Sequence, residues 1–240
     1  MLCKLLTATG HAGLPDSHFH NPSVAAWLDT YNIVPREGSS EVAVLQDIFE
    51  AARIRGAGDT GMFGLRMQAQ SFEFFLQKLQ VLHTDSANDL DRIEKTFGQT
   101  LFVHLTREDK LSQAISYVKA EQTGLWHKAA DGTELERRSS DQKPFYDSAA
   151  IASTLSKFTA MDESWSRWFA KECINPFQIQ YENLSNNPVK TLRELLEQLG
   201  LNGDLVHGLE VPVAKLSDSV NRSWAKQFLD DNPSYKNARN

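Results

Sequence analysis

The chain has 240 residues, 41% apolar and 23% charged, which is the composition of a folded globular protein and excludes a disordered or fibrous one. At this length roughly 70–75% of the surface exposed by the unfolded chain can be buried, enough for one large core. The net charge of −6 has the wrong sign for a protein held over its whole surface by nucleic acid or anionic lipid, so any anion site must be local.

Cys3 and Cys173 are too few for a disulfide framework or a four-thiolate zinc site, and they point to a reducing cytoplasm. No apolar stretch has the length a membrane span needs, and mean hydropathy is −0.42. The opening Met1-Leu2-Cys3-Lys4-Leu5-Leu6 is broken by Lys4 and is too short for a signal peptide.

Leu2, Leu5 and Leu6 share one helical face and Gly10 stops it, so the chain begins inside a helix. Gly13 to Pro22 is turn-rich and reads as a loop. Ser39-Ser40-Glu41 starts a helix carrying Val44, Leu45, Ile48, Phe49 and Ala52, which Gly56-Ala57-Gly58 ends. Gly61 to Met67 reads as a short buried strand whose small residues admit a second backbone. Thr100 to Leu105 is the clearest strand, and it passes through Thr106-Arg107-Glu108-Asp109 into a helix with Leu111, Ala114, Ile115 and Val118 on one face.

Lys128 to Lys143 is polar, contains Asp131-Gly132, and reads as a mobile surface insertion. Ile151, Leu155, Phe158, Met161, Trp165, Trp168 and Phe169 keep helical spacing and read as core. Phe177 to Tyr181 is a second strand, and Asn187-Pro188 caps a helix with Leu192, Leu195, Leu196 and Leu199 that Gly200 closes. Strands alternating with helices predict an α/β fold with a parallel sheet covered on both faces. The chain reads as a single domain, 1–240, with a polar tail over 230–240.

In an open α/β sheet, ligands bind beyond the carboxyl ends of the strands, and Arg107 stands there. A guanidinium followed by the first turn of a helix can hold a phosphate, and Ser116 on the same helix can add a hydroxyl. The alternative is that Arg107 pairs with Glu108 or Asp109 while Ser116 faces water.

Arg107-Glu108-Asp109-Lys110-Leu111-Ser112-Gln113-Ala114-Ile115-Ser116, continued by Gln122-Thr123-Gly124-Leu125-Trp126, resembles the 3′-phosphate-binding segment of the bacterial trehalose sulfotransferase family, with its nodulation-factor and lipopolysaccharide branches. The first helix and following loop are similar too, as are Gly61 to Met67, Glu163 to Phe169, Tyr181-Glu182-x-Leu184 and Ser217-Asp218-Ser219-Val220-Asn221-x-x-Trp224, so the likeness runs nearly end to end. It implies a P-loop-like parallel sheet flanked by helices, of sulfotransferase type. The implied activity moves a sulfuryl group from 3′-phosphoadenosine 5′-phosphosulfate (PAPS) to a carbohydrate or glycolipid hydroxyl, without a metal. Arg107 and Ser116 are then the donor's 3′-phosphate ligands.

The relatives carry a carboxylate base in the loop after the first helix. Aligning on Gly13 and Pro15 puts Ser17 at that place, so Asp16 is the first candidate and His18 the second. The plain reading of Asp16 is a turn cap. Asp16, His18 and His20 also have the look of a metal loop, but no further ligand is assigned to it. Arg66 stands where a Lys that faces the transferred group is commoner, and a structural ion pair is its alternative. Gln122, Thr123 and Trp126 are implied at the acceptor, where a sugar stacks on an aromatic ring and bonds to amides, with plain core as the alternative for Trp126. Arg137 and Arg138 are either contacts to an anionic acceptor or a solvated loop.

Family members place a strand and an R-S-G-S-T-like loop ahead of the helix that opens this chain. The expectation is an N-terminally truncated member, a poor enzyme until extended upstream. A kinase is disfavoured because no G-x-x-x-x-G-K-[ST] loop is present. A non-catalytic nucleotide- or glycan-binding member of the same fold is the rival reading. By family analogy the protein is expected to be a homodimer, while its charge and hydropathy predict no nucleic-acid partner and no membrane span.

Overall fold

In a computed structural model, residues 1–128, 133–137, 142–209 and 219–237 are described. Five helices come first: α1 (Leu2–Ala8), α2 (Val24–Tyr31), α3 (Glu41–Ala57), α4 (Ala69–Leu82) and α5 (Asp89–Phe97). They are followed by β1 (Val103–Thr106), α6 (Lys110–Thr123), β2 (Leu125–Lys128), β3 (Glu134–Arg137) and α7 (Ser148–Lys171). The chain then forms β4 (Phe177–Gln180), α8 (Tyr181–Asn186), α9 (Pro188–Gln198), α10 (Ser219–Asp231) and α11 (Pro233–Asn237). β1 pairs with β4, and the connection between them carries α6 and α7, the crossover that parallel strands require. The fold is therefore mixed α/β, with a small parallel sheet flanked by helices.

The chain packs as two compact units. One comprises Met1–His104, Arg167–Phe177 and Pro188–Leu209. Its core forms because Leu45, Ile48, Phe49 and Ala52 fall on one face of α3, which packs against α2 and α4. Ser40 caps α3 by accepting from the Ala43 N–H, and Ser23 caps α2 by accepting from the Ala26 N–H. Phe19 joins this core from the loop after α1, its ring packed on Trp27, Phe49 and Phe75. The Glu172 carboxylate accepts from the Leu90 N–H at 3.0 Å, satisfying an orphan donor in the first turn of α5.

The other unit comprises Leu105–Ser166, Gln178–Asn187 and Glu210–Asn240. Leu111, Ala114, Ile115 and Val118 of α6 pack with Ile151 and Leu155 of α7 and with Trp224 and Phe228 of α10. β2 and β3 form an antiparallel hairpin with an irregular register.

Three sequence expectations change. The first strand runs Val103–Thr106, not Thr100 to Leu105, so Arg107 follows it directly. Residues 61–67 are not a buried strand: they make one parallel bridge, Leu65 to Asp16, and are half-buried to exposed. Pro15, with no N–H to extend a ladder, lies so close that a Cβ on Gly64 would come within 2.6 Å of its own Cβ. The expected insertion over 128–143 begins and continues as hairpin strands, while 129–132 and 138–141, Arg138 included, lie outside the described residues. Ser217, Asp218 and the last three residues of the expected polar tail do as well.

Candidate functional site

In the second unit, the turn between β1 and α6 carries Arg107. Asp109 is the N-cap of α6, its carboxylate accepting from the Ser112 N–H at 3.1 Å and from the Ser112 hydroxyl at 2.6 Å. The carboxylate that faces Arg107 belongs to Glu182 of α8, with Nε and Oε1 3.8 Å apart, and not to Glu108 or Asp109. Glu182 also accepts from the backbone N–H groups of Glu108 and Asp109, at 3.2 and 3.5 Å. The guanidinium carbon stands 4.7 Å from the Tyr181 ring centroid, a cation–π contact that helps hold the side chain in place.

The Arg107 side chain is 20% exposed, and its buried Nε makes no hydrogen bond among the described residues. At 3.8 Å the ion pair with Glu182 is too long to be one. A buried N–H without an acceptor costs free energy, and an anionic ligand oxygen would remove that cost. Lys110 adds a second positive charge to the turn; it donates to the Arg107 carbonyl at 2.5 Å and pairs with Asp162.

Ser116, on α6, accepts a 2.9 Å hydrogen bond from the Asn221 side-chain amide of α10. The Asn221 carbonyl in turn accepts from Lys119 Nζ at 3.1 Å. Farther along, the Gln122 carbonyl oxygen accepts from the Phe145 N–H at 3.0 Å. The Thr123 hydroxyl donates to the Lys119 carbonyl at 2.8 Å and accepts from the Leu125 N–H at 3.3 Å, so backbone groups occupy it in both roles. Trp126 packs edge-on to Tyr117 at 5.4 Å. Arg137 donates to the Thr123 carbonyl at 2.7 Å and pairs with Glu134, which ties the hairpin to the end of α6.

In the first unit, the loop after α1 meets residues 61–67. The Arg66 N–H donates to the Asp16 carbonyl at 2.9 Å, which brings two sequence-predicted residues together. Both are exposed, and the Asp16 carboxylate accepts from the Ser17 N–H at 2.7 Å, the turn contact expected of it. Gln68, the residue before α4, completes the cluster. With its amide oriented to satisfy its neighbours, its oxygen accepts from Arg66 Nε and Nη2 at 3.2 and 3.0 Å and from the Ser17 hydroxyl at 2.6 Å. Burial pushes the nearby Cys3 thiol up, against the opposing pull of the Arg66 charge.

His18 is turned inward and 8% exposed. Tyr31 donates from its hydroxyl to the His18 carbonyl at 3.2 Å and stands the same distance from Nδ1. Burial pushes that tyrosine hydroxyl up to about 12. Burial also lowers the His18 pKa from 6.5, with the backbone of Leu14 and Gly64 and the charge of Asp16 pulling the other way and Arg55 with it. The folded protein therefore holds His18 neutral where the unfolded chain protonates it. The resulting stability is complete above 6.5 and is lost as pH falls through the lowered pKa. Urea midpoints at pH about 7.5 and about 5.5 are expected to fall more for the parent than for His18→Gln; equal falls would remove His18 from the acid response.

His20 is exposed. Among the described residues no three His, Cys, Asp or Glu side chains are gathered to hold a metal ion. No described helix is long and apolar enough to cross a membrane. Glu182 and Asn221 stand within the family-like motifs with no role legible from the sequence, and Gln68 stands just outside one. Their only signal is tertiary: Ser116 and Asn221 are 105 residues apart.

Comparison with known proteins adds the family. The Stf0 sulphotransferase family matches residues 1–231. The trehalose 2-sulfotransferase of Mycolicibacterium smegmatis is 24% identical over 248 residues, covering 96% of this chain and 90% of that protein. The trehalose 2-sulfotransferase of Mycobacterium tuberculosis is 26% identical over 253 residues, covering 97% and 91%.

Proposed function

Because the chain belongs to the Stf0 sulphotransferase family, we propose that it transfers a sulfuryl group from PAPS to a carbohydrate hydroxyl, with a P-loop-like sheet as its scaffold. The observation that carries the donor assignment is the buried Arg107 Nε, without an acceptor among the described residues, in the turn that opens α6. Such a donor suits the dianionic 3′-phosphate that distinguishes PAPS from other adenosine nucleotides. The acceptor class follows the two relatives, whose names specify trehalose.

In this reading Arg107 and Ser116 bind the 3′-phosphate, and the donor supplies an activated sulfuryl group. The acceptor oxygen forms the new S–O bond as the S–O bond to the donor's phosphate breaks. Asp16 takes the acceptor's hydroxyl proton. Arg66, its guanidinium held by Gln68, offsets negative charge near the transferred group. Gln122, Thr123 and Trp126 stay with the acceptor, Thr123 acting through the backbone it holds in place.

The test uses purified chain, PAPS and trehalose. Asp16→Asn is expected to lower turnover by about 10²–10⁴-fold while affinity for adenosine 3′,5′-bisphosphate stays unchanged. Full turnover in Asp16→Asn together with loss in His18→Ala passes the base role to His18. Failure of the parent chain to bind adenosine 3′,5′-bisphosphate, together with absence of sulfuryl transfer to a sugar hydroxyl, rejects the reading.

A further inference from the structure

We infer that Asn221 is a positioning residue that points the Ser116 hydroxyl hydrogen at the 3′-phosphate, and so gives the site its preference for a 3′-phosphorylated nucleotide. This rests on the assignment of Ser116 to that phosphate.

Asn221 is 5% exposed, beside Trp224 and Phe228 in an apolar cluster. A buried amide is costly there unless both ends are bonded, and here both are. The direction of the bonds is fixed by chemistry. A lysine ammonium can only donate, so the end of the amide facing Lys119 must be its oxygen. The NH₂ end therefore faces Ser116, which is compelled to accept. A hydroxyl has one hydrogen and two lone pairs; with a lone pair spent on Asn221, the hydrogen must be directed elsewhere. Among the described residues no acceptor takes it.

The result is a one-way chain, Lys119 to Asn221 to Ser116, which ends in a donor. Phosphate oxygens only accept when fully ionised, so this polarity suits them, and each bond in the chain strengthens the next. Ser112, Ser116 and Lys119 lie at i, i+4 and i+7 of α6, one face, so a single helix supplies both ends of the relay and α10 supplies its middle.

The experiment compares binding of adenosine 3′,5′-bisphosphate and adenosine 5′-monophosphate by calorimetry, with thermal melts alongside. Asn221→Leu keeps the volume and removes the amide. Asn221→Asp keeps the bond to Lys119 but accepts from Ser116, reversing its hydrogen. In both variants the bisphosphate is expected to bind at least about tenfold more weakly, and the monophosphate within about twofold of the parent. In a Ser116→Ala background, Asn221→Leu is expected to add no further loss, because its effect runs through that hydroxyl.

Equal weakening for both nucleotides would make Asn221 a merely structural residue and overturn the proposal. So would an unchanged bisphosphate affinity, or a full additional loss in the Ser116→Ala background. If Ser116→Ala and Arg107→Ala both leave discrimination between the two nucleotides intact, the phosphate assignment itself fails, and the role of Asn221 falls with it.

Discussion

Replacing Arg107 by alanine is expected to weaken binding of adenosine 3′,5′-bisphosphate by about 1.5–3 kcal/mol, or about 10- to 150-fold. The size follows from what the guanidinium brings. Its buried Nε has no acceptor among the described residues, so a phosphate bond there replaces an unpaired donor and no existing bond is sacrificed. Its guanidinium carbon is held over the Tyr181 ring, which limits the entropy lost when a ligand arrives. Arg107→Lys is expected to recover less than half of the lost free energy, since an ammonium keeps the charge but neither the fork nor the stacking. Calorimetry is the measurement, and an unchanged affinity in Arg107→Ala would remove the residue from the donor site.

The second large effect concerns stability. Phe19→Ala is expected to destabilise the unit that carries Asp16 by about 3–5 kcal/mol, a substantial share of the ~5–15 kcal/mol available to a typical domain. Phe19 is 1% exposed, and its ring centroid lies 5.0, 4.9 and 5.1 Å from those of Trp27, Phe49 and Phe75. Removing it leaves a cavity walled by rings on three helices, which cannot collapse without moving α2, α3 and α4 together. Phe19→Leu, which retains most of the volume, is expected to cost less than half as much. Denaturant unfolding is the check, and a loss below about 1 kcal/mol in Phe19→Ala would show that the loop is anchored elsewhere.

Elements with strong periodicity and end signals were legible in the sequence. α3 has a serine cap and a glycine stop, α6 and α7 keep regular apolar spacing, and α9 has Pro at its first position. α4 announces itself less clearly, because its N-cap residue Gln68 makes no side-chain capping bond. Gly61 to Met67 has the composition of a strand, yet pairing is decided by the neighbour, and Pro15 offers no N–H to a ladder. β2 and β3 are four residues each and are joined by a polar stretch around Asp131-Gly132, with Leu125-Trp126 and Leu135 as their only apolar residues, too few to show a strand alternation.

The same division holds at the candidate site. Arg107 could be picked out because the end of a strand and the start of a helix mark a ligand-facing edge, and Ser116 because it follows on the same helix within the family-like segment. Glu182 and Asn221 could not be given roles, because what they do depends on which atoms approach them across the fold.

The contact between Pro15 and Gly64 bears on how the protein can change. Across that contact, and between Gly13 and Met62, main chain lies against main chain; a methyl group on Gly13, whose φ is +71°, would come within 2.2 Å of the Met62 carbonyl oxygen. The separation of the Asp16 and Arg66 anchor points is therefore set by a close approach that depends on Gly13 and Gly64 having no Cβ, and replacement of the neighbouring side chains at positions 16, 17, 66 and 68 does not enter that contact. Diversification of this corner must proceed by exchanging what projects from a fixed frame at positions 16, 17, 66 and 68. A library confined to those four positions would vary reach, charge and hydrogen-bonding character while leaving the register of the two segments untouched.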